Sequence, residues 1–439
     1  IMETTKPFRE FAGYSGLSVL GMLAISCYIL ADTFFVSQSL GTNGLAALNL
    51  AIPAYNVIHG TGLMVGMGGA TRFSVLKSRR ESKAADVMFT NTVYLAVFFS
   101  ALFMLVGVFF SAPITALLGA DSATFDMTNT YLKVLCIFAP AFIMNDVLLC
   151  FIRNDGNPGL AMAATVGGSF SNIILDYVFM FPMGMGIFGA VLATGMSPAI
   201  GILIMAPHWL KKSKGFHMVK TGLPLENIKI NLALGFPSLL SQLSSGIVMI
   251  VFNGIILTLV GNTGVAAYGV VANLSLVISS IYTGIAQGIQ PLVSREYGQK
   301  NREAERLFLR YAMISMAVIS LLLYVIIYVF AGPIAMIFNS ENNRELQQIA
   351  ETGLRLYFTS ALFMGYNVIL STYFTSVENA VPAHVVSLLR GLIVIVPAAF
   401  LMSAAWGMTG MWLACTATEI ITAAAGAVLD ARAKRRNLA

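Results

Sequence analysis

Apolar runs of about twenty residues, the length that crosses a bilayer as a helix, recur along the whole chain. Polar or glycine-rich breaks separate them. Reading the runs against these breaks predicts twelve spans: 14–36, 46–70, 87–111, 131–152, 160–181, 187–207, 233–257, 265–291, 310–331, 355–376, 384–402 and 407–429. The first run has no small-residue cleavage site after it and is expected to stay as a helix.

Composition removes the soluble alternative. Hydrophobic residues make up 57% of the 439, and charged residues only 10%. A soluble domain carries about 25% charged residues. Mean hydropathy is +0.79. The expected fold is an all-α membrane protein.

The net charge of +6 is placed for topology. Lys6, Arg9, the connections from even to odd spans and the C-terminal segment hold 23 of the 26 Lys and Arg; Lys133, Arg344 and Arg355 hold the rest. The positive-inside rule makes the basic side cytoplasmic, with both termini inside and the protein in the plasma (inner) membrane. No basic face interleaved with aromatics exists, so nucleic acid is not an expected partner. The four cysteines, Cys27, Cys136, Cys150 and Cys415, read as buried small hydrophobes. His59, His208, His217 and His384 are scattered and form no metal-ligand pattern.

The basic stretch 208–231 divides the spans into two sixes. Expected units are an N-terminal lobe over 1–210, a basic linker over 211–231 and a C-terminal lobe over 232–439. The halves resemble each other at an offset near 220: L-G-T-N-G-L-A-A at 40–47 matches V-G-N-T-G-V-A-A at 260–267, and G-I-F-G at 186–189 matches G-M-T-G at 407–410. Six is even, so both halves enter the membrane in the same sense. That layout, two pseudo-symmetric six-helix lobes, is common in secondary transporters.

Few acidic residues fall inside spans: Asp32, Asp146, Asp176 and Glu419. A carboxylate there costs several kcal/mol unless it meets a cavity or a partner. Counting about 1.5 Å per residue from the span ends puts Asp32, Asp176 and Thr194 at one depth in the outer half. Asn172 precedes Asp176 by one turn and shares its face. Asp, Asn and Thr offer only oxygen, which suits a hard cation; two close carboxyls without one must hold a proton. Na⁺ is therefore possible at Asp32, Asn172, Asp176 and Thr194, and so is H⁺. A satisfied polar network that fixes helix packing is the alternative. The repeat puts Phe252 opposite Asp32 and Cys415 opposite Thr194, so the second lobe lacks the cluster. Glu419 has no acidic neighbour, and Asp146 beside Asn145 is a candidate for gating. No Lys or Arg is expected deep in any span, Arg390 coming closest.

I-L-A-D-T-F-F-V (29–36), G-M-G-G-A (66–70), N-I-I-L-D (172–176), G-F-P-S-L-L-S-Q (235–242) and P-L-V-S-R-E-Y-G (291–298) resemble the multidrug and toxic compound extrusion (MATE) family, within the multidrug/oligosaccharidyl-lipid/polysaccharide flippase superfamily. The resemblance covers nearly the whole chain. It implies a twelve-helix, two-lobed antiporter driven by Na⁺ or H⁺. In the DinF-like branch the cation site maps onto Asp32, Asn172, Asp176 and Thr194. The C-lobe acids of the other bacterial branch have no counterpart near Ser245 or between Met364 and Asn367. A proline frequent early in helix one is Leu17 here, while Pro237 keeps it in the other lobe.

The expected function is export of drug-like, lipophilic cationic compounds in exchange for H⁺ or Na⁺, by alternating access. The alternative is a flippase or exporter of a specific lipid-linked or metabolite substrate. No Ser/His/Asp set supports an enzyme, and no cofactor beyond the coupling ion is expected. Partners are a small-molecule substrate and the lipid bilayer, with the protein a monomer. Candidates for the substrate cavity are Tyr28, Asn56, Met64, Asn145, Asp146, Gln242, Met249, Tyr282, Gln287 and Gln290. Met and aromatic side chains offer polarisable surface, and polar groups in spans face cavities or the bundle interior.

Overall fold

Helix α1, Met2–Ser78, has 77 residues. Straight, it would run about 115 Å, far beyond a hydrocarbon core of ~30 Å. Gly41, at φ 64° and ψ −152°, breaks it into spans one and two. The computed structural model describes residues 2–211, 214–339 and 342–436. Lys212, counted with the basic linker, lies outside the described residues.

The remaining helices are α2 (Ser82–Leu117), α3 (Phe125–Ile137), α4 (Ala139–Asn154), α5 (Pro158–Met180), α6 (Gly186–Leu210), α7 (Leu225–Val260), α8 (Asn262–Gly298), α9 (Arg302–Val329), α10 (Ala331–Phe338), α11 (Arg344–Tyr357), α12 (Ala361–Ser376), α13 (Ala380–Leu388) and α14 (Ile395–Arg436). No strand occurs among the described residues. Helices α3 and α4 form one span bent by 49° ahead of Pro140. A 3₁₀ turn, Phe358–Ser360, joins α11 to α12 in span ten. A π-helical turn, Leu389–Ile393, joins α13 to α14 in span eleven. Trp406 and Gly407 break α14 into spans eleven and twelve. The architecture is twelve membrane-spanning helices in two lobes, as expected.

The duplication is written in the backbone as well. Left-handed residues pair up at 220 to 222 residues: Gly41 with Gly261, Arg80 with Lys300, Gly156 with Glu378, and Gly186 with Gly407. At Arg80, Gly156, Lys300 and Glu378 the amide bonds back to the third residue before it, and the next amide bonds five back, as Glu81 N to Leu76 O and Asn301 N to Glu296 O. This is the Schellman ending of a helix, which needs one left-handed residue. Sequence letters changed between the halves while the turn geometry stayed.

Each lobe has its own apolar core, one built around Phe73, Phe89, Leu135 and Phe151, the other around Phe252, Tyr268, Tyr282 and Trp412. The lobes meet through α1 against α7 and α8. Small residues let these backbones touch, as expected where lipid supplies no hydrophobic drive. A Cβ on Gly288 would lie 2.5 Å from Ser15 Cα, one on Gly284 2.6 Å from Val19 Cα, and one on Gly235 1.8 Å from Met64 O. Ser26 and Ser280 hydroxyls meet at 2.5 Å near mid-span. Arg295 grips Glu10 with two bonds (2.6 and 3.1 Å), and Arg72 grips Glu378 (2.7 and 2.9 Å), at the basic end. Toward the opposite end, Gly254 on α7 and Gly269 on α8 have nothing within 4 Å. The lobes are thus clamped at the basic end.

The linker after α6 is tied to the first lobe. Phe216 is buried against Phe73, Phe89, Phe151 and the His208 ring. Asp155 accepts from Lys77, from His208 Nε2 (2.9 Å) and from Gly215 N (2.8 Å). Cys136 and Cys150 are buried as expected, but Cys27 is exposed and Cys415 half-buried.

Candidate functional site

Asp32 lies on the first half of α1, nine residues before its break. Asn172 and Asp176 are one turn apart on α5, whose start is fixed by Pro158 and an Asn157 side-chain cap. Thr194 sits on α6, its hydroxyl bonded back to Ala190 O at 3.0 Å. All four are buried. The Asp32 and Asp176 carboxyls lie close enough to act on one another. Two buried carboxyls this near one another cannot both ionise cheaply without a cation between them. With the Asn172 amide oriented to satisfy its neighbours, Nδ2 donates to Asp176 Oδ2 at 2.9 Å and Oδ1 accepts from Thr194 N at 3.3 Å. One oxygen on each aspartate, Oδ1, has no partner. The sequence had brought Asp32, Asp176 and Thr194 to one depth, with Asn172 a turn away on the Asp176 face; the structure gathers all four into one buried group.

Tyr131 joins the group unannounced. It is buried on α3 beside Thr194. A lone tyrosine in the middle of a helix carries no spacing signal that could have singled it out. Across the repeat, the place of Asp32 is taken by Phe252, wholly buried against Tyr268 (5.5 Å between ring centres) and Tyr357 (6.4 Å). An aromatic box fills in the second lobe what carboxyls fill in the first.

A second polar group lies deeper in the first lobe. Tyr28 and Tyr55 hydroxyls meet at 2.8 Å. The Tyr55 ring stacks on His59 at 5.6 Å, and His59 Nδ1 is 2.9 Å from Asp146 Oδ2. The ring N–H does not aim along that contact, so Oδ2 lacks a linear donor. Gly62 makes room: a Cβ there would be 2.5 Å from the same oxygen. Asn145 Oδ1, beside Gly201, also lacks a partner. His59 had read as an isolated histidine; its pairing with Asp146 spans 87 positions and two helices.

Other candidates disperse. Asn56 and Gln242 face one another's helices across the lobe interface, at Gly246 and Gly60 respectively. Met64 packs there against Gly235. Gln287 lines a cleft with His59 and Asp146. Met249 is exposed on α7. Tyr282 is turned into the second core, donating to Ser320 (2.7 Å) and Ala361 O (3.1 Å), and does not line a cavity. Gln290 is also sealed, bonding Thr71, Asn154 and Ser294 as part of the lobe clamp.

The expectation that no Lys or Arg lies deep in a span is corrected at Arg390. Span eleven begins at Ala380 rather than 384, which sets Arg390 ten residues in, about 15 Å from the helix start. Its Nε reaches Glu419 Oε1 at 2.7 Å, while Asn367 donates to Glu419 Oε2 at 2.7 Å. Glu419 is therefore a paired acceptor. Arg153, counted as a loop residue, belongs to the last turn of α4 and is buried. Among the described residues no group of three His, Cys, Asp or Glu is arranged to hold a metal ion.

Two duplicated six-span lobes, with ionisable groups kept inside them, define a membrane transporter rather than an enzyme. The chain belongs to the MatE family, whose model matches residues 18–178 and 237–401, one segment per lobe. Among curated relatives, the multidrug export protein MepA of Staphylococcus saprophyticus is 25% identical over 97% of this chain and 94% of its own length. Two solved structures show the same fold at 24% identity, each over 96% of this chain and 94% of the other. They are a MATE protein in complex with MaL6, at a TM-score of 0.90, and the outward-facing conformation of a multidrug resistance MATE family transporter, at 0.87.

Proposed function

We propose that this protein exports drug-like, lipophilic cationic molecules in exchange for H⁺ or Na⁺, by alternating access between its lobes. The observation that carries the coupling half is the Asp32–Asp176 pair, drawn from two spans, with Asn172 one turn before Asp176 on its own helix and Thr194 and Tyr131 beside them on others. The substrate half leans on the family and on the multidrug names of its relatives. The closeness of the two carboxyls favours a proton as the ion. Their unpartnered oxygens also leave donors for Na⁺.

An ion entering this cluster separates or joins the two carboxyls and so changes how α1 sits on α5 and α6. It drives transport only if one lobe arrangement binds it better. The lobe clamp at the basic end is the contact set that must break for the opposite arrangement. With both termini on the cytoplasmic side of the inner membrane, substrate would be taken up there and released outside.

Dye efflux from proteoliposomes, with a pH gradient and a Na⁺ gradient imposed separately, tests the proposal. One gradient should drive uphill movement in the wild type. Asp32→Asn and Asp176→Asn should abolish accumulation while dye binding persists. Uphill transport by both variants would remove the cluster from the coupling step. The flippase reading gains one observation, the buried Arg153 and the half-buried Arg390, and predicts movement of a lipid-linked anion instead of dye.

A further inference from the structure

Between the lobes, on the basic side of mid-span, lies a narrow cleft with room for about two water molecules. Its polar lining is Ser18 on α1, His59 after the break, Asp146 and Arg153 on α4, Thr165 on α5 and Gln287 on α8. Arg153 is 7% exposed. Among the described residues its guanidinium makes no ion pair and no hydrogen bond. The last turn of a helix favours a cation through the carbonyl dipole, which explains a basic residue there. It does not explain a guanidinium that is almost wholly covered, opens onto the cleft and meets no acceptor of the protein among the described residues. Free guanidinium donors facing a cleft suit a carboxylate, whose two oxygens match the fork.

Asp146 lies seven residues before Arg153 on the same helix. Seven residues are nearly two full turns, so both face the cleft, about 10 Å apart along the axis. One end of the cleft therefore offers a cation. The other offers Asp146 Oδ2, which no linear donor satisfies. Leu17 and Pro158 are shared with an open groove at the basic end, whose rim carries Lys6 and Arg9. Such a rim raises the local concentration of anionic groups.

We propose that this cleft is a recognition site for amphoteric substrates: Arg153 takes a carboxylate, and the Asp146–His59 pair takes an amine about 10 Å away. The inference rests on the exporter reading and narrows it, adding zwitterions to the lipophilic cations. In the present arrangement the cleft admits only a carboxylate-sized group. Parting of α1 from α8 at the Ser15–Gly288 and Val19–Gly284 contacts would admit the rest. Gln287, brought by the second lobe, would let go as the lobes separate.

The test uses a matched pair of dyes, rhodamine 110 with a free carboxylate and rhodamine 123, its methyl ester. Binding to the purified full chain in lipid nanodiscs is read by fluorescence polarisation. Wild type should bind rhodamine 110 at least as tightly as the ester. Arg153→Gln should weaken rhodamine 110 by about tenfold or more, the effect of one charge-assisted bond, and leave rhodamine 123 within about twofold. Arg153→Lys should recover part of the loss, and Asp146→Asn should weaken both dyes. Equal loss of both dyes in Arg153→Gln, or loss of neither, overturns the proposal. Should Arg153→Gln not fold, wild type alone decides: a tenfold preference for the ester overturns it, and parity or preference for the acid supports it. An ester that binds without the acid leaves the exporter reading standing and this one fallen. If neither dye binds, both fall.

Discussion

Gly288→Ala is the sharpest perturbation this interface offers. The added Cβ would sit 2.5 Å from Ser15 Cα and 2.8 Å from Ser15 N. Ordinary contact begins near 3.4 Å, so the methyl is about 1 Å too close, and it meets backbone, which has no rotamer to escape into. α1 and α8 belong to different lobes, so each lobe can fold with the methyl present. Relief comes from moving one lobe from the other. Overpacking costs about 1–3 kcal/mol, which shifts the balance of clamped and parted arrangements roughly 5- to 150-fold toward parting. Spin labels at Glu81→Cys and Glu303→Cys, exposed on opposite lobes at the basic end, read the balance by electron–electron distance measurement in a background lacking the four native cysteines. The clamped protein should give one short distance, and Gly288→Ala should add a longer one. Identical distributions, in a variant of unchanged thermal stability, would refute backbone contact as what holds this end shut.

Glu419→Ala should destabilise by roughly 1–3 kcal/mol, because it strands the half-buried Arg390; adding Arg390→Met should restore much of the loss in thermal unfolding. Phe216→Ala empties a site enclosed by three phenylalanines and should cost about 3–5 kcal/mol of linker docking, read as faster tryptic cleavage at Lys214 and Lys220 with the spans intact. Asp121, in the loop before α3, is held below the usual carboxylate range by the Thr124 hydroxyl and the Thr124 and Ala123 amides. A lowered folded pKa means the cap is complete above the ordinary aspartate value and is lost as pH falls through the lowered one; amide exchange at Ala123 and Thr124 should quicken there, and Asp121→Ala should show the faster exchange at every pH.

The sequence by itself determined the number of spans, the basic asymmetry, the duplication and the common depth of three oxygen-bearing side chains, Asp32, Asp176 and Thr194. Each follows from a local count: the length of an apolar run, the sign of a connection, the offset of a repeat, a rise per residue. Asn172 and Asp176 were legible as a pair because one helical turn fixes their common face. Rotation of one span against another was not legible. In a soluble bundle the apolar stripe tells which face turns inward, but in lipid both faces are apolar and the stripe disappears. So the sequence could not turn Tyr131 toward Thr194, Tyr282 away from the cavity, or His59 onto Asp146. Nor could it seat Arg153 and Arg390 inside, since a shift of span boundary by a few residues decides whether a guanidinium ends in water or among helices. Arg295 and Glu10, 285 positions apart, meet only because the two lobes dock, and docking is where the tertiary structure settled which end of this transporter is closed.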